Sequence, residues 1–466
     1  MTNGKVKILI VTDSAVLPTG MAETTRLIFG HLLDKYPQTY EVQQIGWFHC
    51  YAVTEPKWPI HPTTLSKDPR GKPCFDPKDR YAQKTFFKLL PKLRPDIVFA
   101  FGDPQMVAVL CTEPKARRYR LVLYLNFDGL PLPPDYGPTL NRADLVIGTS
   151  EFSKEVIRRF LPAVTVEKLS SLYSPADTPR FAPVSDAAKA ELRRDLFPDW
   201  MPKDAFVLGW VGRNQWRKQV WLLYKTVFYL RNGHYLICQA CGRVTPFDWE
   251  PSMAEGKFER PLALESRPGC RHDICSHCAS DRVERAQPLP DVFLWSHMTE
   301  EPEQDWSLRR LEQQFGVRPD RDICYTPGYV QKGALSPSDV PTLYSLWDCL
   351  LYLTGGEGFG LPAWEAMCAG LPVIYTNYSA HAEFLGKANA GLAVGGVLQP
   401  ESKNCIWRMI ADLSQVIEAV RRLYFDRQLG STLGSNGRAF VQNYTPDILI
   451  EKWHGLFQGL MARGAA

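Results

Sequence analysis

The sequence predicts an α/β protein: two doubly wound, Rossmann-like parallel sheets facing each other across a deep cleft. Three observations predict it. Continuous apolar runs of strand length alternate with stretches of helical spacing. The rhythm breaks at one proline-bearing passage, then restarts. And 466 residues exceed what one hydrophobic core usually organises. Open parallel sheets bind ligands beyond the carboxyl ends of their strands, so two facing sheets predict a site between them.

The first unit opens with the strand KVKILIV (5–11) and the helix MAETTRLIFGHLLDKY (21–36). YEVQQIGW (40–47), DIVFAFG (96–102), YRLVLYLNF (119–127) and DLVIGTS (144–150) follow as strands, and EFSKEVIRRFL carries helical spacing. LYSPADTPRFAPVSD (172–186) reads as a linker because Pro175, Pro179 and Pro183 interrupt regular structure. The second unit begins at FVLGWVG (206–212), continues through the helix QVWLLYKTVFYL (219–230), and runs by YLIC, VFLWS, DICYTPG and CLLYLTG to the strand GLPVIYT (370–376). The expected domains are 1–185 and 186–445, with an insert at 238–291 and a C-terminal helix (446–466) packing back on the first domain.

A net charge of +4 neither demands nor excludes a phosphate-bearing partner. The N-terminus lacks a signal-peptide pattern, and no apolar run approaches the ~20 residues that cross a bilayer. The twelve cysteines lack the density of a disulfide scaffold. A cytoplasmic location, at most peripheral to a membrane, is expected.

Three strand ends carry chemistry. In VTDSAVLPTGMAETT the chain turns through Gly20 into a helix whose free N–H groups suit a diphosphate; any strand–helix turn can hold such a glycine. In GWVGRNQWRKQVW, Arg213 and Lys218 follow Gly212 near a helix start, where positive charge opposes the macrodipole. Two cations there suit an anion between them; the alternative is a solvated basic turn. In TGGEGFGLPAWEAMCAG (354–370), glycines flank Glu357, Pro362 fits a first helical turn, and Glu365 follows inside the helix. Glycines so placed imply that the backbone approaches something closely.

EGFGLPAWEAMCAGLPVI resembles the signature of glycosyltransferase family 4, whose retaining members share the GT-B fold. The family's glutamate pair, with seven residues between, matches Glu357 and Glu365; its strand–Gly–Arg…Lys segment matches Gly212, Arg213 and Lys218; its N-terminal glycine loop matches PTGMAE. ADLVIGTSEFSKEVI and DTPRFAP resemble the end of the first domain and the inter-domain passage. The resemblance implies that Arg213 and Lys218 hold the diphosphate of a UDP- or GDP-linked sugar. Backbone groups at Gly20 and along Gly358, Phe359, Gly360 and Leu361 would assist. Glu357 would bind the transferred sugar and Glu365 the ribose, with no catalytic metal. The sequence departs from the family at Gln219, where glycine is common, and at Asn126 and Asp128, where many members place a histidine. Asp128 is either a hydrogen-bond acceptor for a sugar or acceptor hydroxyl, or the start of a turn with Gly129.

Between HYLIC and VFLWS the rhythm stops. Cys238-x-x-Cys241 and Cys275-x-x-Cys278 can supply four thiolates to a structural Zn2+, with Cys270 or His272 as substitutes. Phe247 and Trp249 read as small-core or stacking residues. From Gly242 to Asp291 there are seven Lys/Arg and nine Asp/Glu, a balance that gives nucleic-acid binding no support. The basic stretch KARRYR (115–120) suits phosphates, an anionic surface or plain solvation. The leading expectation is a glycosyltransferase acting on a hydroxyl acceptor; the same chemistry on a hydroxymethylated base in DNA, and a zinc-ribbon nucleic-acid-binding protein on a silent scaffold, are the alternatives. A phosphorylase would need a pyridoxal-phosphate lysine, which the sequence does not reveal.

Overall fold

The computed structural model describes residues 4–48, 57–63, 65–67, 73–112, 117–162, 164–246, 252–254, 257–259, 275, 277–298, 305–326, 339–401 and 405–462. The N-terminal sheet comprises β1 (Val6–Asp13), β2 (Tyr40–Trp47), β3 (Ile60–Pro62), β4 (Ile97–Gly102), β5 (Arg120–Leu125), β6 (Leu145–Gly148) and β7 (Leu169–Ser171). Their order is β3-β2-β1-β4-β5-β6-β7, and every pairing is parallel. The strand order reverses between β1 and β4, so the crevice of this lobe lies beyond Asp13 and Gly102.

The second lobe contains β8 (Phe206–Val211), a small insert with β9 (Tyr235–Cys238), β10 (Val244–Pro246) and β11 (Val283–Arg285), then β12 (Val292–His297), β13 (Ile323–Tyr325), β14 (Cys349–Tyr352), β15 (Val373–Thr376) and β16 (Gly391–Val394). The main sheet runs β13-β12-β8-β14-β15-β16, again all parallel. Its reversal falls between β8 and β14, the two strands that lead into the Arg213–Lys218 and Glu357 segments.

Burial explains the apolar runs. Ile8, Ile10 and Phe99 turn to one face of the N-terminal sheet, where they pack against Ile28 and Phe29 of α1 (Gly20–Lys35) and against Ile450, Trp453 and Phe457 of the C-terminal helix Pro446–Ala462. Leu9, Val11 and Val98 turn to the other face, against Phe86, Val156 and Ile157. The second sheet is covered likewise: α2 (Val220–Asn232) and the helix Leu413–Phe425 lie on one face, and α3 (Leu361–Cys368) and the helix Ser379–Ala388 on the other. Strands buried on both faces need no polar alternation, which is why they read as unbroken apolar runs.

Differences from the sequence reading are local. The strand expected at 370–376 begins at Val373, because Pro372 has no N–H to give the ladder. Short edge strands β3 and β7 and the exposed strand β17 (Gly396–Pro400) lack the apolar run that marks a central strand, while β16 and β18 (Trp407–Ala411), the hairpin partner of β17, are short and only partly buried. Arg117 and Arg120 of the basic stretch 115–120 both pair with Asp144, which offsets one of their two charges. Cys270, His272, Phe247 and Trp249 lie outside the described residues. Among the described residues no helix is long and apolar enough to cross a membrane.

Candidate active site

The two lobes are closed on each other, and the ends of β1, β4, β5, β8 and β14 converge on a cavity of about 530 Å3. Several contacts hold the closure. Trp407 N–H donates to the Leu130 carbonyl (2.8 Å), Phe152 N–H to a Glu383 carboxylate oxygen (2.6 Å), and Thr149 Oγ1 to the Gly358 carbonyl (2.9 Å). Gly356 meets the opposite lobe directly: a Cβ there would lie 1.9 Å from the Asp128 carbonyl oxygen. The close approach that the glycines imply is therefore, at Gly356, an approach to the other lobe. Gly360 caps the start of α3 at φ 102°, a left-handed conformation that disfavours a side chain.

Beyond β8 the chain makes a single tight turn (Trp216–Lys218) before α2. This turn buries Lys218, whose Nζ pairs with Glu357 and sits 5.4 Å from the Tyr352 ring centroid. Arg217 pairs with the same carboxylate at 3.0 Å and donates to the Gly356 carbonyl at 2.8 Å. Arg217 belongs to none of the sequence motifs; the Arg-Lys doublet is its only signal there. The Glu357 N–H donates to Ser379 Oγ (2.8 Å), and Ser379 is held at φ 65°, a strained value for a non-glycine residue.

Two cations on one carboxylate set the electrostatics. Burial opposes ionisation of Glu357, but Arg217 and Lys218 outweigh it and hold its carboxyl well below the usual carboxylate range. Burial, reinforced by the repulsion of Arg217, draws Lys218 down to about 8 although Glu357 pulls the other way. Arg213 is exposed on the cleft wall, where its charge faces Asp13. It does not touch Glu357 in the described contacts; Arg217 occupies that place.

Asp128 is engaged from the other lobe. Arg408 pairs with it at 2.9 Å and also donates to its carbonyl at 2.7 Å, while Arg217 Nε stands 3.7 Å from its second oxygen. Arg408 is itself held by Glu401 at 2.9 Å. Asp128 thus ties the two lobes together while still lining the cavity. Gly20 opens α1 on the near wall of the cavity, and Phe359, Gly360 and Leu361 line the far wall. These walls touch, since a Cβ on Gly20 would lie 2.8 Å from Leu361 Cδ1.

Glu365 also lines the cavity and accepts from the Tyr344 hydroxyl at 2.6 Å. Burial pushes it from 4.5 up to about 7. A carboxyl raised in this way costs stability as pH climbs from its free value towards its folded one. Glu365→Gln should therefore melt at the same temperature as the wild type at pH 4 and be more stable by about 1–2 kcal/mol at pH 8. Melting curves at the two pH values measure the difference.

In the insert, β9 pairs with β10 and β11, bringing two Cys-x-x-Cys turns together. The Sγ atoms of Cys238, Cys241, Cys275 and Cys278 all lie within 4.8 Å of one another. The Cys238–Cys278 and Cys241–Cys275 separations are 3.6 and 3.7 Å. Four thiolates about 2.3 Å from a tetrahedral Zn2+ would stand close to these distances from one another. The residue after each pair, Gly242 or Ala279, has positive φ, so the two turns close alike.

Comparison with known proteins agrees with the fold. Residues 331–406, which include the Glu357 segment, match the family model described as glycosyl transferases group 1. No curated protein sequence matches the chain. Among solved structures, the chain is similar to sucrose-phosphate synthase from Thermosynechococcus elongatus, at 16% identity over 98% of this chain and 100% of that one, TM-score 0.65. It is also similar to Anabaena Alr3699/HepE, solved with UDP and glucose, at 17% identity over 97% and 99%, TM-score 0.62. A third likeness is to WaaG, a glycosyltransferase involved in lipopolysaccharide biosynthesis, at 14% identity over 96% and 98%, TM-score 0.57. The chain therefore has the GT-B fold of two facing lobes, and its residues 331–406 match the group 1 glycosyltransferase model.

Proposed function

We propose that the protein is a retaining glycosyltransferase that moves a hexose-type sugar from UDP to a hydroxyl acceptor. The observation that carries this reading is the pair of buried Lys218 and Glu357 with half-buried Arg217, set where the two lobes meet and beside the starts of α1 and α3. In the reaction the bond between the sugar C1 and the diphosphate oxygen breaks, and the diphosphate leaves with the electron pair. The acceptor oxygen bonds to C1 from the same face, and its proton passes to a departing phosphate oxygen. Lys218 and Arg213 stabilise the charge that grows on the diphosphate; one fixed donor of this kind can be worth about 3–4 kcal/mol. Backbone N–H groups at Gly20 and Phe359–Gly360 add to that field.

Glu357 is a poor base because two cations hold its carboxylate ionised. Its role is to accept hydrogen bonds from the sugar hydroxyls, and Glu365 accepts from the ribose. UDP is preferred to GDP because a structural neighbour was solved with UDP-glucose. The reading divides the chain at residue 185, with the acceptor on the first lobe and the donor on the second. The test is a melting-temperature screen against UDP- and GDP-sugars, followed by NMR of the anomeric proton in the product. Stabilisation by a UDP-sugar and an unchanged anomeric configuration are expected; inversion would remove the same-face mechanism.

Cys238, Cys241, Cys275 and Cys278 would hold a structural Zn2+, whose chemistry is to cross-link the two turns. Such a thiolate site implies a reducing compartment, the cytoplasm in this reading. A short insert lacks a core of its own, so the metal supplies part of its folding energy. The protein should contain one zinc per chain by elemental analysis. Chelation should lower the melting temperature while UDP binding persists. Loss of UDP binding in a chelated protein that has not melted would contradict a purely structural role.

A further inference from the structure

The N-terminal wall of the cleft carries groups that the donor chemistry does not use. Of the neighbouring strands β1, β4 and β5, β1 ends in Asp13, Asp103 follows β4 directly, and Asp128 lies three residues beyond β5. All three line the cavity. Asp128 is already bound to Arg408 and Arg217. The other two are not so engaged.

Asp13 is 4% exposed, and its Oδ2 accepts from Thr19 Oγ1 at 2.6 Å. Its Oδ1 is buried without a hydrogen-bond partner among the described residues. An unsatisfied buried carboxylate oxygen costs stability unless a ligand supplies the missing donor. Asp103 stands at the N-cap of the short helix Pro104–Val107, where aspartate ordinarily accepts from a backbone N–H of the first turn. It makes no such bond, and no described residue donates to its carboxylate. Burial, with Asp128 and Asp13 nearby, pushes it up to about 7.

We infer that Asp13 and Asp103 form the acceptor subsite and select an acceptor that presents uncharged, hydrogen-bond-donating hydroxyls, a carbohydrate unit without phosphate at its bound end. This rests on the donor reading above, because it takes the Arg213–Lys218 side of the cleft as the diphosphate side. Two carboxylates with open acceptor positions are satisfied by adjacent hydroxyls. A phosphate in the same place would add like charge where Asp128 is already neutralised by Arg408 and Arg217. Arg26 and Arg180 also line the cavity, but both pair with Glu23, and the cations beside Asp128 and Glu357 come from the second lobe.

The test is saturation-transfer NMR on the full chain, with and without UDP, using glucose, fructose and maltose as probes beside glucose 6-phosphate and fructose 6-phosphate. Signals from one or more free sugars and none from the phosphates are expected. Asp103→Asn and Asp13→Asn should each abolish those signals while UDP affinity and melting temperature hold, which shows that the variants fold. Stronger signals from a sugar phosphate than from its parent sugar would overturn the assignment. So would free-sugar signals that persist in both variants, or no signal from any of the three free sugars. If the wild type ignored UDP yet showed sugar signals that the variants lose, the donor reading would fail and the acceptor assignment with it, leaving a plain sugar-binding site at Asp13 and Asp103.

Discussion

Lys218→Ala is expected to cut sugar transfer at least about 100-fold while leaving the melting temperature little changed. The two halves of this expectation have separate causes. Catalysis suffers because a buried ammonium in a closed cleft acts on the developing diphosphate charge without the screening that water gives at a surface. The fold survives because Glu357 keeps a cation: Arg217 stands 3.0 Å from it and remains when the lysine is gone. Steady-state kinetics with a UDP-sugar and a thermal melt measure the two effects. The same residue sets a pH limb. In the free protein Lys218 loses its proton as pH rises through about 8. kcat/KM for the donor should fall above that pH, because it reports the free enzyme. The limb in kcat should lie higher, since a bound diphosphate favours the charged amine. Lys218→Arg should abolish the limb near pH 8 even if its overall rate is low.

Glu357→Ala is expected to lose a similar factor in transfer, at least about 100-fold, but with a different stability signature. Stability suffers too, since the variant leaves buried Lys218 and half-buried Arg217 side by side without their shared carboxylate. Stripping a buried pair of one partner costs about 3–5 kcal/mol. The carboxyl is held below its ordinary value in the folded state, so its contribution is complete above about pH 4.5 and shrinks as pH falls below that. The stability gap between wild type and variant should therefore narrow in acid. UDP should restore more stability to the variant than it adds to the wild type, because its phosphates replace the missing counter-charge. Melts with and without UDP at two pH values decide each point. A variant as stable as the wild type at pH 7 would show that the ion pair contributes nothing.

The larger features of the fold are legible in the sequence for a simple reason. Strands such as Ile97–Gly102 and Cys349–Tyr352 are buried on both faces, so their composition is constrained at every position. β17 is exposed along its length, and nothing in its composition sets it apart from a loop. The candidate site is legible where a local pattern carries it, as in the spacing of Glu357 and Glu365. It is not legible where partners come from distant segments. Arg408 reaches Asp128 across 280 positions of sequence, and Ser379 holds the Glu357 backbone from another helix. The turn between Arg213 and Lys218 shows the same limit: sequence places both cations near a helix start, and only the fold shows that one is buried against Glu357 while the other faces Asp13.

The central claim is that the cleft holds a nucleoside diphosphate against Lys218. Calorimetric titration of UDP into the wild type and Lys218→Ala at pH 7 tests it most directly. Binding to the wild type, weakened at least about tenfold in the variant, is the expected result; a loss of that size corresponds to about 1.4 kcal/mol. Equal affinity in the two proteins, or no heat with UDP, GDP or any of their sugars, would contradict it.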